Sequence, residues 1–296
     1  MGLGADCPSA FLQLFACRFL IYLSMFLLDE SITAERRVFP RGTITVATQA
    51  TTAADAGRKA RKRVPVTSFK GGIPIASIGL FATIVGFFPT FFSRLGEVDV
   101  VHLLHGWIMT GWILVVLAQA LLIRSMRYEW HHRLGWSALG LFLAMVFTSC
   151  QVLALMLSGK SRLPFEAAKF FGYSDIVDMP LLVFFFCAAI YWRKDRPLHS
   201  RLVAVTVLTS VVPALARMFN ILIWRSFEGL FLAMHPTYLL ILGVLGVSIY
   251  VDWRNQRLRW PLPLAFVWFG FVYATQWPMM NVPAYDTLAR AIGALG

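Results

Sequence analysis

The side chains able to do chemistry in this 296-residue chain are few, and they recur at one depth. All six histidines lie between His102 and His235. His102 and His105 fall in the first turns of one apolar run, and Asp175 and Asp178 open another. Arg217 and Asn220 lie in the last two turns of a third. His235 is about two turns into a fourth, and Gln276 is near the end of a fifth. Their spacing in threes and fours puts each set on one helical face. His102, His105, Met109, Trp112 and Gln119 make one stripe; Thr206, Ser210, Pro213 and Arg217 make another. Three chemistries suit these residues. His105 and His235 could be axial ligands of a haem b, with Arg217 pairing its propionates. His102, His105, Asp178 and His235 could bind a divalent metal such as zinc, with a position left for water. Asp178 and Arg217, as catalytic groups beside the histidines, could pass protons or ions. The competing reading is a salt-bridged helix interface with Asp178–Arg217 as its core pair. Pro213 and Pro236, beside Arg217 and His235, free backbone carbonyls, which a bundle tolerates where neighbours or a cavity satisfy them.

The elements that must position these groups are apolar helices. Hydrophobic residues make up 58% of the chain and charged residues 14%. A soluble domain carries about a quarter charged residues, so a soluble enzyme is close to excluded. From residue 73 onward there are seven runs long enough to cross a bilayer: 73–92, 101–123, 134–157, 176–192, 202–224, 229–251 and 261–278. They are continuously apolar rather than alternating, so helices are expected and not barrel strands. The expected fold is an all-α, polytopic membrane bundle of seven transmembrane helices.

Charge sets the orientation. The net charge of +12 would suggest nucleic acid on a soluble protein. Sorted by loop, sixteen Lys and Arg fall in 58–70, 124–133, 193–201 and 252–260, against six in the alternate loops. The positive-inside rule then puts the first set in the cytoplasm, the N-terminus in and the C-terminus out. Nucleic acid is excluded as a partner, and the bilayer takes its place. A multi-pass protein of a bacterial inner membrane is expected. Of the basic residues, Arg217 alone is expected well inside a span.

Residues 1–72 form an N-terminal extension to the 73–296 membrane domain. Phe11–Leu28 is apolar but broken by Arg18 and has no basic flank, so it is a poor signal peptide. Thr43–Gly57 is rich in Ala and Thr and reads as a linker. Phe11–Leu28 is either a weak eighth span or lies upstream of the true start; the second reading is favoured. The four cysteines include no CxxC pair and give no metal or redox signature.

One short motif repeats. His131-His132-Arg133-Leu134 opens the third run, and His199-Ser200-Arg201-Leu202 sits at the start of the fifth; both read His-x-Arg-Leu after a basic loop. The structural reading is an arginine that snorkels to anionic headgroups. The alternative is a cofactor or lipid-headgroup site on the basic side.

The stretch His105-Gly106-Trp107-Ile108-Met109-Thr110-Gly111-Trp112, with Gln119, Arg124, His131–Trp136 and Arg196–Leu202, resembles a bacterial group of seven-helix inner-membrane proteins. The resemblance covers 73–296 and implies the fold rather than an activity. A looser likeness is to the cytochrome-b-type transmembrane reductases, through the rhythm of His105, Met109 and Arg124. Those proteins pair ligands near both membrane faces, whereas His131, His132 and His199 start helices and no partner is expected for them. The seven-helix metal hydrolases are a comparable likeness, without their serine and HxxxH elements. The leading expectation is a redox protein or oxidoreductase centred on His105 and His235. Next come a metal-dependent hydrolase, a proton- or ion-coupled small-solute transporter, and a non-catalytic assembly protein. The lack of Gly-broken short helices in matched positions weighs against transport.

Overall fold

A computed structural model describes residues 71–161 and 163–296. The expectations for Phe11–Leu28 and the Ala/Thr-rich linker lie outside the described residues. Every described regular element is a helix. In chain order they are α1 (Gly72–Phe87), which continues as a π-helical turn over Phe88–Phe92, α2 (Val100–Arg124), α3 (Tyr128–Leu157) and α4 (Phe165–Tyr191). Then follow α5 (Arg196–Ser210), α6 (Val212–Phe219) with a second π turn at Asn220–Trp224, α7 (Phe227–Leu232), α8 (Met234–Arg254), α9 (Pro261–Met279) and α10 (Pro283–Gly293).

Five helical stretches combine spanning length with a mean hydropathy of 1.7 to 2.1 over 18 residues: Gly72–Phe92, Val100–Arg124, Tyr128–Leu157, Phe165–Tyr191 and Phe227–Arg254. A sixth forms if α5 and the helix through Trp224 are counted together, although they bend by 47°. The described residues are therefore all-helical in their regular structure, and the chain is a multi-pass membrane protein. Its outer surface agrees: Phe81, Phe147, Val247 and Val267 are each more than 60% exposed, a composition that suits lipid and not water.

The helices start and stop where local chemistry directs. Asp99 caps α2 by accepting from the amides of Val101 and His102. Asp195 accepts from Leu198 N at the start of α5, and Ser226 accepts from Gly229 N at the start of α7. Only Ser125–Arg127 separate α2 from α3, with Met126 left-handed (φ 59°), so the two helices pack as a hairpin. Loops of this kind gather Arg124–Arg133, Arg193–Arg201 and Arg254–Arg259 at one end. Trp192 meets Trp260 there (centroids 5.6 Å apart), and Arg201 meets Asp252. We refer to it as the basic end.

α5 and α6 are the hub. α5 touches α1, α2, α4 and α9, and nearly every residue from Arg201 to Ala216 is buried. Its Val, Ala, Leu, Thr and Ser residues leave no polar face, the pattern of a helix enclosed on all sides. The break at Val211 has a named cause. Pro213 has no N–H for the Thr209 carbonyl. The hydroxyls of Thr209 and Ser210 also bond back to the carbonyls of Val205, Thr206 and Val207, which bends helices. The uninterrupted span expected over 202–224 is thus two half-helices.

Candidate functional site

The polar groups converge at the end opposite the basic one, around α6. α4 begins at Phe165, well before the expected residue 176, so Asp175 and Asp178 lie three to four turns into a helix rather than at its mouth. Asp178 is 5% exposed and accepts a hydrogen bond from Trp268 Nε1 of α9 at 3.0 Å. Asp175 and Arg217 are part-buried, on α4 and α6.

The Asp178–Arg217 core pair does not form. Arg217 donates to the Pro213 carbonyl at 3.2 Å and lies over the Phe87 ring, 4.6 Å from its centroid. No carboxylate lies within 4.0 Å of its guanidinium among the described residues. Asp175 has no side-chain hydrogen bond and no ion pair within 4.0 Å among the described residues. Arg217 is not the only cation inside a helix either. Lys169 and Arg201 are more buried, 4% and 2% exposed. The early start of α4 brings Lys169 inside a helix, and Arg201 pairs with Asp252 within the bundle instead of reaching the headgroups.

His105 faces the same group. Its Nδ1 is 3.2 Å from Thr148 Oγ1 of α3. That hydroxyl donates to the Ala144 carbonyl at 2.9 Å, so it accepts from His105. This network assigns the proton to Nδ1 and leaves Nε2 with its lone pair. His102 does not join it: its Nδ1 pairs with Asp99 at 2.6 Å on the exposed rim, completing the cap of α2.

His235 belongs to a neighbouring cluster. Its Nδ1 is 3.0 Å from the Tyr273 hydroxyl, and its ring stacks on Trp277 at 5.8 Å. Tyr273 in turn stacks on Tyr238 (5.6 Å, 27°). Tyr238 is fully buried, and its hydroxyl has no partner in bonding geometry; Ser174, which donates to Phe171 O, is beside it. The charges of Asp175 and Asp178 both reach this phenol. Tyr238 therefore joins the two clusters. Thr148, Tyr238 and Trp268 carry no spacing signal in the sequence, whereas Tyr273 stands three residues before Gln276, on the same helical face.

The structure gives His105 and His235 different helix neighbours and different Nδ1 partners. α2 packs chiefly on α3 and α1, and α8 on α9 and α6. Among the described residues no three of His, Cys, Asp and Glu converge in metal-binding geometry. Both π turns flank the site, at Phe88–Phe92 beside Phe87 and at Asn220–Trp224 beyond Arg217. π turns are rare and are frequent at functional sites. The Asn220 side-chain oxygen is buried there without a partner. What the arrangement offers is a cation, two carboxyls, an imidazole with a bare nitrogen and a free phenol, set around a broken helix. No protein-family model, curated protein or solved structure matches the chain.

Proposed function

We propose that the protein is a proton-coupled transporter of small polar solutes, with Asp175, Asp178, Arg217 and His105 as its relay. The observation that carries this reading is the open relation between Asp175 and Arg217. Both sit part-buried within α4 and α6, on a chain that spans the membrane, yet they do not close into an ion pair within 4.0 Å among the described residues. Opposite charges kept apart inside a bilayer are costly, and they mark transport and relay sites. The break at Val211 adds support, because discontinuous helices build solute sites at half-helix ends. Arg217 supplies a fixed positive charge for the solute. Asp175 and Asp178 exchange the proton, and His105 Nε2 accepts it on the way to the surface.

A redox protein with haem b on His105 and His235, and a hydrolase with zinc on His102, His105, Asp178 and His235, are less well supported. His102 is spent in a helix cap, and His105 and His235 answer to different neighbours. The same reading carries a topology of seven crossings, basic end in the cytoplasm, in a bacterial inner membrane. α9 is the seventh: its 19 residues reach about 28 Å, close to the roughly 30 Å hydrocarbon core. Membership of the seven-helix group is part of this proposal. The test is proton flux into proteoliposomes under an imposed potential, comparing the natural protein with Asp175→Asn and Arg217→Gln.

A further inference from the structure

We propose that His131, His199 and Gln119 form a binding site for a divalent transition-metal ion at the basic end of the bundle. The two copies of the His-x-Arg-Leu motif are 68 positions apart in sequence, yet the fold brings their histidines together. The rings of His131 and His199 stand edge to face with centroids 6.4 Å apart. At a tetrahedral angle, an ion about 2.0–2.1 Å from one nitrogen of each ring would hold the centroids roughly 5 Å apart. The rings stand wider than that by about 1 Å, so binding would draw them together.

The free atoms point to a cation. His199 Nδ1 is 2.8 Å from the Ala189 carbonyl, which can only accept, so this nitrogen carries the proton and Nε2 is left bare. A histidine held through its other nitrogen by a main-chain carbonyl is the usual support of a metal ligand. His131 Nδ1 is buried and has no partner, and so is Gln119 Oε1. His131 lies beside the Gln119 main chain, and the Gln119 amide rests against Gly135, one turn along α3. Two imidazoles and an amide oxygen suit zinc, nickel or copper. Among the described residues no third histidine, cysteine or carboxylate converges on the two rings, so the ligand set is two imidazoles and one amide oxygen.

An anionic headgroup fits less well, because both motif arginines are already neutralised. Arg133 donates to Glu129 at 2.6 Å, and Arg201 is held by Asp252. Arg193, whose charge reaches His199, donates to the Ile190 carbonyl.

The experiment uses the full chain, purified in detergent without a histidine tag, stripped with chelator and titrated with Zn2+ by calorimetry. The expected result is one ion per chain. His131→Ala and His199→Ala each weaken binding at least tenfold, while His102→Ala leaves it unchanged. Gln119→Glu, which adds a carboxylate at the same place, tightens binding and keeps the test valid if a histidine variant fails to fold. The proposal is overturned by no saturable binding, by binding unaffected in both histidine variants, or by a Gln119→Glu protein that binds no more tightly. A Soret band that depends on His131 and His199 would also overturn it in favour of haem.

Discussion

Arg201 and Asp252 form a two-pronged ion pair, Nε to Oδ2 at 2.6 Å and an Nη to Oδ1 at 2.7 Å, with both side chains almost wholly enclosed. It ties the start of the hub helix α5 to the end of α8. Removing one partner strands the other charge, which costs about 3–5 kcal/mol for a buried pair. Arg201→Ala is expected to lower the melting temperature in detergent sharply. Arg201→Met with Asp252→Leu together recovers most of the loss. A double variant as unstable as Arg201→Ala alone would mean that the pair contributes more than charge compensation.

A second prediction concerns the seam between α1 and α6. A side chain added at Gly86 would collide with the Ala214 carbonyl oxygen, which is main chain and cannot step aside. Gly86→Ala is expected to cost about 1–3 kcal/mol through overpacking. Because Phe87 carries the Arg217 guanidinium, the same change also disturbs the site. Thermal melting measures the first effect and proton flux the second. An unchanged melting temperature would contradict the close seam.

Acid should loosen the C-terminal helix. Asp286 accepts from Arg290 Nε at 2.8 Å and from Lys169 Nζ at 3.2 Å, and these two cations hold its carboxyl below the ordinary range. A depressed carboxyl gives stability that is present above its unfolded value of about 3.9 and is lost as pH falls through the lower folded value. The attachment of α10 to α4 is therefore intact at neutral pH. Hydrogen exchange of the α10 amides is expected to speed up only below about pH 4, and in Asp286→Asn already at pH 7. Equal exchange in the variant and the natural protein would rule out the clamp.

Much of the fold was legible because bilayer length and continuous apolarity are read along the chain. The spans over 73–92 and 101–123 agree with α1 and its π turn and with α2 to within a residue. The early start of α4 was not legible. Glu166 and Lys169 look like loop residues until Lys169 is seen to pair with Glu166 and Asp286. Pro213 signalled a freed carbonyl, but the 47° bend also needed Thr209 and Ser210 to bond back. In the site, depth along the runs gathered His102, His105, Asp175, Asp178, Arg217, Asn220, His235 and Gln276 toward one side. It could not say whether either carboxylate closes on Arg217, because that depends on the rotation of α4 against α6. His131 and His199 looked unpartnered for the same reason: their approach is made by helix packing and leaves no trace in local sequence.

Proton movement through the unclosed Asp175–Arg217 pair is read directly as flux into sealed vesicles. Reconstituted vesicles with a trapped pH-sensitive dye are driven by a potassium diffusion potential, with protein-free vesicles as the baseline. The natural protein is expected to acidify the lumen well above that baseline. Asp175→Asn, which keeps shape and removes the titratable group, is expected to lose at least tenfold of the flux while melting normally. The flux is measured with and without a panel of external amino acids, sugars and nucleosides; a full-rate Asp175→Asn protein, or a natural protein no leakier than lipid alone with every solute of the panel, would contradict proton-coupled transport through this pair.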